Sequence, residues 1–161
     1  MKQLGELRVR EYMTPQAIVV NDSARLVEAI RLMDDQGISV VPVVDEQGKL
    51  VGILSFGDLV EMMHEIQADL GVLHQVREET RDFFIKVLIH QGDSTFVRDV
   101  MTSPVKTVSS ETNLILAAQM LNDRKFHHLP VVDQDDSTVG IISSSDFVRA
   151  IADCGALAVD Q

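Results

Sequence analysis

An internal repeat is the feature that most constrains how this chain can fold. When the 161-residue sequence is shifted by 88 residues, positions 9–60 align with 97–148 without a gap, and 18 of the 52 aligned positions are identical. This density of matches in one register indicates two copies of one structural unit. The identities cluster in three boxes: Val-Arg-x-x-Met-Thr at 9–14 and 97–102, Pro-Val-Val-Asp at 42–45 and 130–133, and Val-Gly-Ile-x-Ser-x-x-Asp at 51–58 and 139–146.

Each copy has the pattern of a β-α-β-β-α unit. In the first copy, a short extended stretch at 17–20 leads into polar residues 21–23, which we predict to cap a helix. Apolar residues at three- and four-residue spacing then predict a helix with one face against a sheet. Two β-branched strands, 40–44 and 50–54, flank a polar turn as in a hairpin, and a second helix follows. The second copy has the same order at 105–108, 109–111, 129–132 and 139–142.

We therefore predict an α+β fold in which two β-α-β-β-α repeats cover each other with pseudo-two-fold symmetry. The first repeat spans 9–60 and the second spans 97–152. Residues 61–96 belong to neither copy, and their apolar residues follow helical spacing, so we predict a long helical linker. This linker either packs along its own body or contributes part of its apolar stripe to a homodimer contact.

Charge and composition disfavour several classes of function. The net charge of −11 argues against nucleic-acid binding, which needs many cationic contacts to phosphate. No apolar run is long enough to span a bilayer and no secretory signal is found, so we expect no membrane insertion. A single cysteine, Cys154, favours the reducing cytoplasm. No nucleophile with a neighbouring base and no metal-ligand spacing occurs, so we expect neither an enzyme nor a metal site.

The turn from the last strand to the last helix of each repeat is the candidate binding site. A helix N-terminus presents unpaired N–H groups that suit phosphate, and serine hydroxyls add donors. Asp58 and Asp146 are placed to accept hydrogen bonds from the two hydroxyls of a ribose, as an acidic residue does in dinucleotide sites. The alternative is purely structural, with both aspartates, Ser55 and Ser143 capping the helices that follow.

The doubled boxes resemble the cystathionine-β-synthase (CBS) domain, over 9–60 and 97–150. All three boxes occur in both copies at fixed spacing. The resemblance implies a Bateman module in a stand-alone bacterial or archaeal protein: a disc-like domain pair, often dimerised, with clefts between the repeats. In that family the clefts commonly bind adenosyl ligands, namely AMP, ADP, ATP, S-adenosylmethionine or dinucleotides.

The resemblance favours the second repeat as the occupied site. Asp146 matches the family's ribose-binding aspartate, and Ser143 and Ser145 match hydroxyls near the ligand. In the first repeat Asp58 and Ser55 match, but Phe56 and Gly57 stand where the second repeat has serines. The first repeat therefore offers fewer polar donors.

Cationic and polar residues follow the same asymmetry. His127 and His128 resemble basic side chains that contact phosphates in nucleotide-sensing members, whereas the first repeat has Ser39 and a valine there. Adjacent strand residues point to opposite faces, so only one of the two histidines can face a given cleft. Thr107 lies where the family often places a threonine against the ligand. Three cationic residues either supply local positive charge or are solvated surface groups: Lys106, Arg124 and Lys125.

We therefore expect a non-catalytic regulatory module that senses an adenosyl ligand in the cleft between its CBS repeats. AMP, ADP or ATP is the first choice and S-adenosylmethionine a further one. Occupancy would pass to an effector protein of unknown identity, and a homodimer is expected. The alternative is a dimerisation or docking module with no bound nucleotide.

Overall fold

The computed structural model describes residues 4–62, 94–124 and 127–156, which form two compact units. The first-repeat unit comprises Val19–Gln47 and Val51–Val105, and the second-repeat unit comprises Met1–Ile18, Gly48–Leu50 and Lys106–Gln161. Most of the predicted linker, 63–93, lies outside the described residues, so its helical character stays a prediction.

The elements follow the predicted order in both repeats, and the predicted α+β class is confirmed. The helices are α1 (Leu26–Asp35), α2 (which begins at 56 and is described as far as 62), α3 (Leu114–Arg124) and α4 (Ser144–Ala156). Short 3₁₀ turns lie at Leu4–Glu6, Val9–Glu11 and Val97–Asp99. The strands are β1 (Thr14–Pro15), β2 (Val20–Asn21), β3 (Val40–Val44), β4 (Leu50–Ser55), β5 (Val108–Ser109), β6 (His128–Val132) and β7 (Thr138–Ser143).

The first-repeat unit is a three-stranded sheet covered by an amphipathic helix. Its strand order is β2-β3-β4, and β2 runs parallel to β3. The predicted apolar face of α1 is confirmed, because Leu26, Ile30 and Met33 are fully buried in one core with strand residues such as Val41 and Leu54. Burial of such side chains contributes about 1.5–3 kcal/mol each, which fixes the helix on the sheet.

The second-repeat unit has the same plan with one extra strand. Its order is β1-β7-β6-β5, in which β5 and β6 are parallel and the other pairs are antiparallel. Leu114 and Leu121 of α3 are buried against Leu129 and Ile142 of the sheet. The two-residue strand β1 comes from the N-terminal segment, so the second repeat does not complete this sheet alone.

The leading box of each repeat packs into the core of the other repeat. Val9 is fully buried in the core of the second-repeat unit, and its N–H donates to the Thr112 carbonyl at 3.0 Å. Val97 is fully buried in the core of the first-repeat unit, and its N–H donates to the Ala24 carbonyl at 2.9 Å. The compact units are therefore not the sequence repeats, because each borrows one box from the other copy.

The predicted helix caps at 21–23 and 109–111 are wrong by two residues, because α1 begins at Leu26 and α3 begins at Leu114. Asn21 ends β2, and its side-chain oxygen accepts hydrogen bonds from the N–H and hydroxyl of Ser23, at 3.0 and 2.6 Å. A short polar side chain can stabilise a turn in this way as readily as a helix start. Helix α3 is instead capped by Asn113, whose side-chain oxygen accepts the Ile115 N–H at 2.9 Å.

Candidate functional site

The candidate residues of the second repeat collect at one end of its sheet. In the β6–β7 ladder, His128 at the start of β6 lies opposite Ser143 at the end of β7. Strand β5 runs parallel to β6 with Val108 beside Val131, so the residues that precede β5 lie at this same end. The turn into α4 also starts here, and strand ends, histidines and a helix N-terminus are thereby brought together.

Asp146 forms the centre of this cluster and is only 7% exposed. Its Oδ2 accepts the backbone N–H of Ser143 at 2.8 Å and the Ser143 hydroxyl at 2.7 Å. The hydroxyls of Ser143 and Ser145 lie 2.8 Å apart. Ser143 and Asp146 thus stand three residues apart, as in a capping box at the start of α4. The helix-capping role that the sequence offered for these residues is therefore present in the structure.

Arg149, which sequence reasoning missed, holds the other oxygen of Asp146. Its Nη2 donates to Asp146 Oδ1 at 3.0 Å and to the Tyr12 carbonyl at 2.5 Å. The guanidinium also lies 5.8 Å from the centre of the Tyr12 ring. An arginine three residues after an aspartate on a predicted helix was a usable signal for this pair. Its bond to Tyr12 had no such signal, because Tyr12 lies in the borrowed N-terminal box.

The first repeat builds the same box with different surroundings. Asp58 Oδ2 accepts the N–H and the hydroxyl of Ser55, both at 2.6 Å. Its Oδ1 accepts the hydroxyl of Thr102 from the borrowed leading box. Phe56 and Gly57 follow Ser55, so no hydroxyl stands where Ser145 stands in the second repeat. The shortage of polar donors in this repeat stays a prediction, because the Thr102 hydroxyl adds a donor to this carboxylate.

The two histidines occupy different environments. His127 is exposed, and its carbonyl accepts the Ser144 N–H at 3.0 Å. His128 is half-buried; burial lowers its pKa, the neighbouring His127 lowers it further, and the carboxylate of Asp146 opposes both. Ser39, the counterpart of His127, makes the same backbone contact, because its carbonyl accepts the Phe56 N–H at 3.1 Å. In the first repeat this position therefore contributes a backbone contact and no imidazole.

The remaining predicted residues are less tightly connected. Thr107 is half-buried and Lys106 is exposed, just before β5 at the same end of the sheet. None of the hydrogen bonds found in the described part of the chain joins either one to Asp146. The side chain of Arg124 and all of Lys125 lie outside the described residues.

A cavity of about 300 Å³ adjoins this cluster on the helical side. Of the predicted site residues it shares only His127, so it lies beside the carboxylate cluster. Its wall combines apolar side chains with an amide, an imidazole and a hydroxyl: Ala118, Leu121, Asn122, His127, Ser144 and Phe147.

The chemistry available at the site is hydrogen bonding and charge. Within 4–62, 94–124 and 127–156, no group of three or more His, Cys, Asp or Glu side chains is arranged to hold a metal ion. Among the same residues, no helix has the length and apolar character needed to cross a membrane. What the cluster offers is a fixed carboxylate, serine hydroxyls, a mobile guanidinium and the N-terminus of α4.

A family model described as the CBS domain matches this chain twice, at 9–65 and 97–153, which is well over half of its length. The chloroplastic CBS domain-containing protein CBSX1 of Arabidopsis thaliana is 33% identical over 152 residues, covering 91% of this chain. The chain spans only 64% of that relative's length. The protein MJ1426 of Methanocaldococcus jannaschii is 28% identical over 156 residues, which cover 93% of it.

Solved structures are similar over almost the whole chain. The crystal structure of the CBS-pair protein CBSX2 from Arabidopsis thaliana has a TM-score of 0.73 at 30% identity, covering 92% of this chain and 96% of that one. A crystal structure of CBSX2 in complex with AMP has a TM-score of 0.67 at 30% identity, covering 96% and 98%.

Proposed function

Since this chain belongs to the CBS domain family and carries the domain twice, we propose that it is a regulatory Bateman module that binds an adenine nucleotide and is not an enzyme. AMP, ADP or ATP is the ligand class, and AMP is the first to test because CBSX2, at 30% identity, is a CBS pair crystallised with AMP. The observation that carries the proposal is the Asp146 carboxylate, fixed among serine hydroxyls at the start of α4.

The ribose and the phosphate of a nucleotide each have a counterpart in the second-repeat cluster. A ribose presents two adjacent hydroxyls, and the Oδ1 edge of Asp146 accepts such donors. The N-terminal N–H groups of α4, a helix of 13 residues, favour an anionic phosphate beside them. Lys106 is exposed at the same end and supplies local positive charge on an acidic chain, and the exposed His127 adds an imidazole that can hydrogen-bond a phosphate.

The same residues rank the alternative ligands. S-adenosylmethionine shares the adenosine part, so Asp146 would bind it equally well. It carries a cationic sulfonium and, instead of a phosphate, a single amino-acid carboxylate, so Lys106 and the α4 N-terminus would attract it less strongly than they attract a phosphate. We therefore rank S-adenosylmethionine below the nucleotides. In the first repeat Ser55 and Asp58 supply the carboxylate without the imidazole or the extra hydroxyl, so nucleotide affinity there is lower.

We further propose a homodimer that contacts an effector protein in the cytoplasm. Helices α3 and α4 carry large apolar side chains on their outer face, with Val148 66% and Ile151 58% exposed, alongside Ile115 and Leu116. A second copy of the chain would bury them symmetrically. Val148→Asp with Ile151→Asp should convert the dimer to a monomer in sedimentation velocity, whereas an unchanged dimer would contradict this face as the contact.

Thermal unfolding with AMP, ADP, ATP, S-adenosylmethionine and NAD tests the binding proposal. Ligand at one hundred times its Kd stabilises by about 2.7 kcal/mol, which is readily measured. Asp146→Ala should abolish the shift, and Ser145→Gly, which copies the first repeat, should weaken it without loss of folding. Asp58→Ala is the matched control and should retain most of the shift. A stable dimer that none of the five compounds stabilises would favour the docking module instead.

A further inference from the structure

Three residues of the second-repeat unit form a chain of contacts from the candidate site to the N-terminal segment. Nη2 of Arg149 carries two hydrogens, and the structure uses both, one for Asp146 Oδ1 and one for the Tyr12 carbonyl. The Arg149 side chain is 57% exposed, whereas that of Asp146 is 10% exposed. The guanidinium is therefore the movable member between two fixed acceptors.

Tyr12 is held to α4 at more than one point. Besides donating to the Tyr12 carbonyl, the Arg149 guanidinium lies 5.8 Å from the centre of the Tyr12 ring. Burial, together with the nearby Asp153 carboxylate, raises the Tyr12 pKa. Tyr12 directly follows the 3₁₀ turn Val9–Glu11 and precedes β1, which pairs with β7. A change at Tyr12 therefore acts on the whole borrowed segment 9–16.

The acceptor capacity of Asp146 makes Arg149 a competitor of the ligand. A carboxylate offers about four acceptor positions, and three donors already occupy the Asp146 carboxylate. A ribose diol brings two more donors, so one present donor has to leave. Both Ser143 donors occupy Oδ2, so the Oδ1 edge can accept two ribose hydroxyls only when Arg149, the long and exposed donor at that edge, moves away.

We infer that Arg149 is a coupling residue that joins occupancy of the Asp146 carboxylate to the anchoring of the N-terminal segment 9–16. Bound ligand displaces the guanidinium from Asp146, the Tyr12 carbonyl loses its donor, and the segment is held less tightly to α4. This inference rests on the proposed function for its ligand, but the contact chain itself can be tested without one.

Among the described residues, the first repeat has no equivalent of this chain of contacts. Glu61 stands where the second repeat has Arg149, and Val100 stands where Tyr12 stands. Asp58 is held instead by the Thr102 hydroxyl, a short side chain that cannot swing between acceptors. Coupling of this kind is therefore confined to the second-repeat site, and Glu61→Met supplies a matched control for Arg149→Met.

The chain provides its own probe, because Tyr12 is the single tyrosine and tryptophan is absent. Protein labelled with ¹³C-tyrosine gives one ring signal, and amide exchange reports on 9–16. We expect Arg149→Met to shift the Tyr12 signal and speed exchange at 9–16 without ligand, whereas Glu61→Met does neither. AMP should move the wild-type signal towards that of Arg149→Met, and Arg149→Met should bind AMP about fivefold tighter, at the lower end of usual coupling.

Two results would overturn the inference. One is AMP binding to the wild type with no change at Tyr12 or 9–16; the other is weaker AMP binding by Arg149→Met, which would make Arg149 a ligand contact. If AMP does not bind at all, the proposed ligand is wrong, and the contact chain is then tested without ligand by Asp146→Asn. Its effect on Tyr12 should vanish in the Arg149→Met background, and additive effects of the two substitutions would refute the contact chain.

Discussion

The two turns at Asp58 and Asp146 show how one box can be built twice and connected differently. In both, a serine three residues earlier donates its N–H and hydroxyl to one carboxylate oxygen. The second oxygen accepts a threonine hydroxyl in the first repeat and an arginine in the second. The Ser-x-x-Asp spacing that the two repeats share therefore determines the helix cap. Residues outside this box determine whether the carboxylate can exchange its hydrogen-bond partners.

The same contrast extends to the borrowed boxes that close each unit. Thr102 contributes its hydroxyl to Asp58, whereas Thr14, its counterpart, is exposed and has no hydrogen bond from its hydroxyl within the described residues. The leading box of the second-repeat unit is attached through Tyr12 and Arg149 instead. One unit is thus closed by the short hydroxyl donor of a threonine and the other by the long guanidinium donor of an arginine.

The largest difference in stability that we expect concerns the glycine under each leading box, which is Gly140 under 9–14 and Gly52 under 97–102. A Cβ at Gly140 would lie 2.6 Å from the Thr14 carbonyl oxygen, which is backbone and cannot yield easily. A Cβ at Gly52 would lie 2.5 Å from the Met101 sulfur, on a flexible side chain, and 3.0 Å from the Thr102 carbonyl oxygen. Overpacking costs about 1–3 kcal/mol, so we expect Gly140→Ala near the upper end and Gly52→Ala near the lower.

Urea unfolding of the two glycine variants measures this difference. Both glycines have ordinary backbone conformations, so only the steric contact separates them. Equal losses of unfolding free energy would mean that β1 moves away from β7 as easily as Met101 moves, and that the borrowed box is loosely held in both units.

The threonine pair should give an intermediate effect. Thr102→Val removes the hydroxyl donor of Asp58 and should cost about 1 kcal/mol, as for an ordinary hydrogen bond in proteins. Thr14→Val makes the same chemical change where the hydroxyl has no partner, so its unfolding free energy should stay near that of the wild type. A comparable loss in both variants would show that side-chain shape, and not the bond to Asp58, is what matters at this position.

The sequence was sufficient for the elements and the core, because these depend on local periodicity. Leu26, Ile30 and Met33 are buried as their spacing predicts, and both strand pairs lie where β-branched runs predict them. The exchange of leading boxes could not be predicted, because Val9 and Val97 are identical in type and context and nothing in the pattern says which core each enters. Helix starts were misplaced because Asn21 satisfies its own turn.

The candidate site was predictable in part for the same reason. Ser143, Ser145 and Asp146 are brought together because they lie within four residues of one turn, where local structure decides. The contacts of Arg149 with Asp146 follow helical spacing, but its contact with Tyr12 joins positions 137 apart in sequence. Such a contact depends on the borrowed segment and has no local signal.

The smallest effect on stability that we expect comes from replacing His128 by valine, the residue at the equivalent position 40 of the first repeat. Burial lowers the pKa of His128, so the folded chain binds a proton there less readily than the unfolded chain, whose histidines titrate near their usual value of about 6.5. Stability from this group is therefore present above that pH and is lost as the pH falls through the lowered pKa. His128→Val should remove this part of the acid sensitivity, so its unfolding free energy should decline less than that of the wild type between pH 7 and pH 5.

His127→Ser, which copies Ser39, is the matched control for that measurement. His127 is exposed and is only the second cause of the shift, so most of the decline with falling pH should remain in this variant. If the two variants flatten the pH profile equally, repulsion between the histidines outweighs burial. Burying His128 at the start of β6 would then cost no more than burying Val40 at the start of β3. The two histidines would differ from their counterparts in the first repeat only by their charge.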